Sequence, residues 1–252
     1  SHLSVPKENQ DSLTVLTLNM EYYKAYLILD KPNQDLFKKA LLSKISDVDI
    51  LCVQEDLGDE IGKNFFQESF QQIVTSTDSG DTSSTLRELV YGQANKLMPE
   101  DQLDVRLGNS IYLNNKNSNW ESLNNYKVVK ISSNEPGLQI ANPDGSLLKD
   151  LLGSDGVLKN RSVVWAEFKS KNNSNQNKVR ILCTHLSGGR FEDANYEKLA
   201  DERFNQMKMC LQQYHATYDN ILVGDFNATP DPLHENLMAQ LNFGFNALRN
   251  KI

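Results

Sequence analysis

Four apolar runs each lead into a polar residue that could bind a metal ion or a phosphate. In chain order, LTLN, ILCVQE, ILCTH and ILVGDFN bring in Asn19, Glu55, His185, Asp225 and Asn227. Functional sites in layered folds gather where strand ends meet, so we expect these five side chains to form one site. The strand that ends in Asp225 and Asn227 would hold a carboxylate and a carboxamide in fixed positions within that site.

These residue types suit the cleavage of a phosphoester bond. An anionic phosphoester repels hydroxide, so its hydrolysis needs a hard cation or several hydrogen-bond donors on the phosphoryl oxygens. Glu55 is the kind of oxygen ligand that Mg²⁺ takes while keeping its waters. Asn19 and Asn227 could donate N–H to a phosphate or hold a metal-bound water. His185 could donate to a phosphoryl oxygen or move a proton, and Asp225 could orient or deprotonate the attacking water.

The sequence SGGR, which follows the run ending at His185, could bind an anion. Its glycines would let backbone N–H groups approach a phosphate, and Arg190 could make a forked pair of hydrogen bonds to it. An ordinary hairpin turn explains the same residues. The sequence therefore leaves phosphate binding by Arg190 open.

The elements that must position these residues are short strands with a few helices between them. Runs rich in Val, Ile, Leu and Thr predict strands at 14–19, 48–55, 109–114, 126–132, 161–169, 178–186 and 220–227. Apolar residues at helical spacing predict helices at 34–46, 194–215 and 232–241. Strands outnumber helices and some are joined by short polar loops, which favours an α+β fold with antiparallel pairing and helices on the outside.

Some segments are predicted to lie outside these elements or to serve only packing. Residues 75–104 are polar and irregular, and we expect an insertion or mobile loop there, within a single domain spanning residues 1–252. The acidic run DLGDE at 56–60 is predicted to be a solvated loop. Phe65, Phe66 and Phe70 stand at helical spacing and are predicted to be core residues.

Composition narrows the function class. The 252 residues carry a formal net charge of −7, which is not the strongly basic balance of a dedicated nucleic-acid binder. The sequence has no apolar run of membrane-spanning length, so we expect no membrane span. Its 3 cysteines lie far apart, which makes a disulfide framework unexpected and favours an intracellular protein, cytoplasmic or nuclear. We expect a monomer.

LTLNM, ILCVQE, CTHLSGGR and VGDFNATP, in this order, resemble the motifs of the endonuclease/exonuclease/phosphatase superfamily with the DNase-I-like fold. The resemblance implies a four-layer α/β/β/α sandwich of two packed, mainly antiparallel sheets, and a phosphoesterase that depends on Mg²⁺ or Mn²⁺. Glu55 would match the metal-binding glutamate, and Asn19 the asparagine of the first strand. His185 would match the phosphate-contacting histidine. Asp225 and Asn227 would match the acid and amide that orient water, metal and phosphate.

Expected roles follow from this match. The expected metal ligands are Glu55, Asn19 and Asp225, and the expected phosphate-binding residues are Asn227, His185 and Arg190. The expected catalytic residues are His185, Asp225, Asn227 and Asn19.

The resemblance is incomplete near the C-terminus. Superfamily members usually end with a Ser-Asp-His-like motif, whereas the residues after Asp225 include His234 but no Asp-His pair. We therefore expect His234 to be a surface residue and the sandwich to be incomplete at its C-terminal end. Three functions stay open. A phosphodiesterase or nuclease with a nucleic-acid substrate is expected first, and the others are a phosphatase on inositol phosphates, phosphoinositides or other small phosphoesters, and a catalytically silent binding module.

Overall fold

The computed structural model describes residues 12–57, 61–79, 106–116, 119–132, 161–171, 177–187 and 200–228. The strands there are β1 (Val15–Asn19), β2 (Ile50–Leu57), β3 (Phe70–Thr75), β4 (Leu107–Asn114), β5 (Trp120–Lys130), β6 (Ser162–Ser170), β7 (Lys178–His185) and β8 (Asp219–Asp225). The helices there are α1 (Lys24–Leu27), α2 (Lys31–Lys44), α3 (Ile61–Phe66) and α4 (Ala200–Leu211).

The strands form two four-stranded sheets, in the orders β1-β2-β4-β3 and β5-β6-β7-β8. Each sheet has two antiparallel pairs and one parallel pair, which is β1 with β2 in the first sheet and β7 with β8 in the second. The edge strands β1 and β8 contact each other across the two sheets. The predicted pair of mainly antiparallel sheets is confirmed.

Successive side chains of a strand point to opposite faces of its sheet, and this alternation separates the core into three apolar layers. Leu51 of β2 packs against the side of α1, α2 and α3, whereas its neighbour Cys52 faces the second sheet. In β6, Val164 faces the first sheet and Trp165 faces α4. Burying each large apolar side chain contributes about 1.5–3 kcal/mol, so both faces of both sheets stabilise the fold. The resulting order of helices, sheet, sheet and helix confirms the predicted four-layer sandwich.

The helix predicted at 34–46 begins three residues earlier than predicted, at Lys31. The carboxylate of Asp30 accepts a hydrogen bond from the N–H of Asn33 at 3.0 Å and caps α2, whose first turn includes Pro32. Capping residues carry no apolar periodicity, so the pattern of apolar residues missed the first turn. The helix ends at Lys44.

The helix predicted at 194–215 ends earlier than expected. Within the described residues α4 runs to Leu211, and His215, expected in the last helical turn, lies beyond it. The Nδ1 of His215 accepts hydrogen bonds from the N–H groups of Thr217 and Tyr218 at 3.1 and 3.2 Å, and its ring stacks on that of Tyr218. These bonds hold the turn into β8, which prevents another helical turn.

Two further predictions need correction. Phe70 is a core residue as expected, but it begins the strand β3, because α3 ends at Phe66 and a turn separates the two. Asp56 and Leu57, expected in a solvated loop, are buried in β2, because hydroxyl and backbone donors satisfy the aspartate inside the core.

Other predictions fall partly or wholly on residues that the structure does not describe. Of the predicted loop at 75–104, Thr75 ends β3 and Thr77–Ser79 form a 3₁₀ turn, and residues 80–104 lie outside the described residues. The predicted helix at 232–241, with His234, lies outside them as well. None of the helices in the described part of the chain is long and apolar enough to cross a membrane.

Candidate active site

The two parallel strand pairs bring four of the predicted site residues together. Asn19 lies beside Gln54 in the β1–β2 ladder, and His185 lies beside Asp225 in the β7–β8 ladder. The Nδ2 of Asn19 donates to Glu55 Oε1 at 3.2 Å and to Asp225 Oδ2 at 3.0 Å. The second of these hydrogen bonds joins the two sheets at their strand ends.

A β-bulge turns Glu55 towards this meeting point. The register of β2 against β4 shifts between Val53 and Asp56, and Glu55 has a φ of 50°. In a regular strand Gln54 and Asp56 would share a face, but here Gln54 contacts Cys183 of the second sheet and Asp56 contacts Tyr23 on the helical side. The extra residue therefore leaves Glu55 free to point out of the strand end.

The environment of Glu55 disfavours its charge. Burial raises the pKa of this carboxyl, although the hydrogen bond from Asn19 and the charge of Arg161 oppose the increase. The nearby carboxylates of Asp225 and Glu21 raise the pKa further. Glu55 thus stands beside another acid in a partly desolvated position, an arrangement that a bound cation would stabilise.

His185 closes the site from the second sheet. Its Nε2 lies 3.9 Å from Glu55 Oε1 and 3.8 Å from Asp225 Oδ2, and its side chain is 9% exposed. Burial lowers the pKa of His185 well below its usual value, and the charge of Arg161 acts in the same direction. The ring is therefore a neutral imidazole beside two carboxylates and not half of an ion pair.

The backbone around Asp225 fixes the direction of its carboxylate. The N–H of Asn227 donates to Asp225 Oδ1 at 2.9 Å, so Oδ2 is the oxygen that faces Asn19. The Nδ2 of Asn227 donates to the carbonyl of Leu186 at 2.8 Å, which ties the end of β8 to the end of β7. In this conformation Asn227 acts on the site through the backbone and not through its amide.

Gly224 allows β8 to lie close to β7 just before Asp225. Its φ is 150°, and a Cβ there would lie 1.9 Å from the carbonyl oxygen of Thr184. Only glycine fits this conformation and this contact. The glycine of the sequence GDFN therefore determines where the carboxylate of Asp225 is placed.

The residues present fit a magnesium-type ion. In the described ranges no group of three His, Cys, Asp or Glu side chains is arranged to hold a metal. Mg²⁺ needs fewer protein ligands, since it is usually held by one or two carboxylates and keeps several waters. Glu55 Oε1 and Asp225 Oδ2 converge on one amide nitrogen, and they would be the two carboxylate ligands of such an ion.

The amide of Asn19 has a defined orientation. Its Oδ1 accepts from the N–H of Glu21 at 2.8 Å, which leaves Nδ2 facing the two carboxylates. In this orientation Asn19 presents a hydrogen-bond donor to the site. The expected coordination of a metal by Asn19 would require the amide to turn over and lose the bond from Glu21.

Sequence reasoning missed the buried polar residues that flank Glu55, and it missed Arg161. Gln54 accepts from Thr17 Oγ1 at 3.1 Å, and Asp56 accepts from two tyrosine hydroxyls. Three successive polar residues, QED, at the end of an apolar run were the available signal. Arg161 immediately precedes β6, and its charge acts on the pKa of both Glu55 and His185. Arg190 lies outside the described residues.

Comparison with solved structures bears on the fold. A mannosyl-6-phosphatase from Bacteroides thetaiotaomicron superposes with a TM-score of 0.50 at 17% identity, over 92% of this chain and 71% of that protein. The chain therefore has a DNase-I-like fold. No protein-family model matches the sequence, and no curated protein matches it significantly.

Two more structures align with this DNase-I-like chain. A conserved protein of unknown function from Enterococcus faecalis has a TM-score of 0.49 at 16% identity, over 89% of this chain and 71% of that one. Danio rerio TDP2, complexed with a single-strand DNA product, has a TM-score of 0.49 at 14% identity, over 89% of this chain. The chain spans 64% of the length of that TDP2 structure.

Proposed function

We propose that this chain is a phosphoester hydrolase that depends on Mg²⁺ or Mn²⁺ and cleaves phosphodiester bonds by attack of water. The observation that carries the proposal is the convergence of Asn19, Glu55, His185 and Asp225 at the ends of the two parallel strand pairs. Two carboxylates, a neutral imidazole and an amide donor meet there, which is the set of groups that water activation and phosphoryl stabilisation require.

Each side chain has a distinct proposed task. Glu55 and Asp225 would hold the metal ion, which when bound supplies positive charge to the phosphoryl oxygens and makes a bound water more acidic. Asp225 has one oxygen fixed by the N–H of Asn227, so its other oxygen can hold the metal ion and orient the attacking water beside it. His185, held neutral by burial, donates a hydrogen bond to a phosphoryl oxygen. Asn19 supplies an N–H donor between the two carboxylates.

The proposed substrate is a phosphodiester in a nucleic acid, and a small phosphoester such as an inositol phosphate is the second candidate. The net charge of −7 favours a short contact with the substrate, because a long nucleic-acid footprint needs many Lys and Arg contacts to phosphates. A single-stranded end or a small phosphorylated head group needs fewer such contacts than a long duplex.

A substrate panel tests the proposal. Supercoiled plasmid, a single-stranded oligonucleotide and a soluble inositol polyphosphate are incubated with Mg²⁺, with Mn²⁺ and with chelator. Glu55→Gln and Asp225→Asn are the site variants, and Asp219→Asn at the exposed start of β8 is the matched control. We expect turnover of at least one substrate, abolished by chelator and by both site variants but not by the control. A folded chain that hydrolyses none of them would overturn the proposal.

A further inference from the structure

The turn after Asn19 has an unusual backbone conformation. Glu21, Tyr22 and Tyr23 have φ values of 44°, 46° and 61°, all in the left-handed region. Residues with a Cβ avoid this region, so three in succession persist only where surrounding contacts hold them. The turn places the N–H of Glu21 at 2.8 Å from Asn19 Oδ1, and this bond directs the amide nitrogen towards the carboxylates.

Tyr23 anchors this turn to the core. It is 1% exposed, and its N–H donates to the carbonyl of Met20 at 2.8 Å. Its ring packs edge-on against Phe65 with a centroid separation of 5.3 Å. Its hydroxyl donates to Asp56 Oδ1 at 2.5 Å, although the two residues lie 33 positions apart. Tyr23 thus joins the turn to β2 by a hydrogen bond inside the core.

Asp56 is a firmly held acceptor for that bond. It is fully buried, it ends the bulge that carries Glu55, and its other oxygen accepts from the hydroxyl of Tyr112 at 2.6 Å. The N–H of Leu57 also donates to it, at 3.0 Å. Gly62 closes over the carboxylate so tightly that a Cβ there would lie 2.1 Å from Asp56 Oδ1. The carboxylate therefore cannot follow the turn if the turn moves.

We propose that Tyr23 is a positioning residue, which sets the distance between Asn19 and Glu55 by tying the turn after β1 to the bulge in β2. This inference rests on the proposed function, because it assigns a role in placing the same site. Tyr23 acts through Asn19 and does not itself touch the substrate. Residues that orient the groups binding a metal or substrate typically change affinity or activity about 10- to 100-fold when they are altered.

Tyr23→Phe and Tyr112→Phe form a matched pair for the test. Each variant removes one hydroxyl from a buried ring and the hydrogen bond that it donates to the carboxylate of Asp56. Tyr112→Phe also removes the bond that its hydroxyl accepts from Gln72 Nε2 at 3.1 Å, but only Tyr23 belongs to the turn that directs Asn19. We expect the loss of thermal stability in Tyr112→Phe to be at least as large as that in Tyr23→Phe. We also expect kcat to fall about tenfold in Tyr23→Phe and less than about threefold in Tyr112→Phe, with KM unchanged in both. Equal losses of kcat in the two variants, measured where both are folded, would overturn the proposal.

A double-mutant cycle tests whether Tyr23 acts through Asn19. On an Asn19→Ala background the loss of kcat caused by Tyr23→Phe is expected to shrink to less than about twofold, because the group that it positions is gone. A full tenfold loss on that background would contradict the proposal.

A measurement that needs no activity separates this inference from the proposed function. The side-chain amide resonances of Asn19 are assigned by their absence in Asn19→Ala and followed by ¹⁵N–¹H correlation spectroscopy. They are expected to shift in Tyr23→Phe and to stay in place in Tyr112→Phe. Unshifted resonances in Tyr23→Phe would overturn the positioning role. Absence of turnover in the parent chain would count against the proposed function alone.

Discussion

Replacing Gly224 with alanine tests how closely the site depends on the approach of β8 to β7. The added Cβ would lie 1.9 Å from the carbonyl oxygen of Thr184 and 2.8 Å from its carbonyl carbon. Ordinary van der Waals contact begins at 3.4 Å, so the strands must separate by about 1.5 Å at this point. The obstacle is backbone, and no side-chain rotation can relieve it.

The cost follows from that displacement. A residue with a Cβ at a φ of 150° costs about 1–3 kcal/mol, and each ladder hydrogen bond lost adds about 1 kcal/mol. We therefore expect Gly224→Ala to lower the free energy of unfolding by about 2–4 kcal/mol. Asp225 would move away from Asn19, now 3.0 Å distant. A misplacement of about 1 Å costs about a hundredfold in rate, so kcat per folded molecule should fall by about that factor.

Urea denaturation and steady-state hydrolysis at a temperature where the chain is folded measure the two effects. Val223→Ala is the control, because it trims the neighbouring side chain in β8 without displacing the backbone. It should lower stability while leaving kcat within about twofold of the parent. A Gly224→Ala variant with both the stability and the kcat of the parent would show that the site does not depend on this close approach of the strands.

Three other predictions follow from burial and charge. Ellman's reagent should label no thiol at pH 8 until the chain is unfolded, because all 3 cysteines are buried, namely Cys52, Cys183 and Cys210. Burial also raises the pKa of the Cys210 thiol to about 12. Rapid labelling of the folded chain would contradict this. Asn19→Asp should lower the melting temperature in chelator, because it replaces a hydrogen-bond donor with a third carboxylate beside Glu55 and Asp225. Mn²⁺ binding to these carboxylates should then raise the melting temperature of the variant more than that of the parent. An equal rise in both proteins would count against it. Burial raises the pKa of Tyr214 from 10.0 to about 12 in the folded chain. As pH rises through this window the tyrosine of the unfolded chain loses its proton first, so stability against urea should fall. Tyr214→Phe should flatten that pH dependence.

The sequence predicted the layers of the fold because its strands carry clear apolar runs. The runs leading to Asn19, Glu55, His185 and Asp225 were all recognisable, and the structure places these residues at one set of strand ends. The strand β3 was missed because Phe70 continues the spacing of the phenylalanines in α3 by coincidence.

The details that aim the site residues could not be read from the sequence. The bulge at Glu55 looks like an ordinary polar strand end, and the burial of Asp56 depends on hydroxyls from Tyr23 and Tyr112, which lie 33 and 56 positions away. An aspartate after a glutamate is usually solvated, so the pattern favoured a loop. Only tertiary structure brings the tyrosines to it. The left-handed turn at Glu21–Tyr23 likewise contains no residue type that favours it.

Metal-assisted hydrolysis at Glu55 is tested with a chromogenic phosphodiester, bis(p-nitrophenyl) phosphate, which is incubated with the parent chain and with Glu55→Gln in Mn²⁺ and in chelator. We expect Mn²⁺-dependent release of nitrophenol by the parent, at least about a hundredfold faster than by Glu55→Gln, with both proteins melting cooperatively. Equal rates in the two proteins, or a parent rate that chelator does not change, would contradict a metal-assisted site built around Glu55.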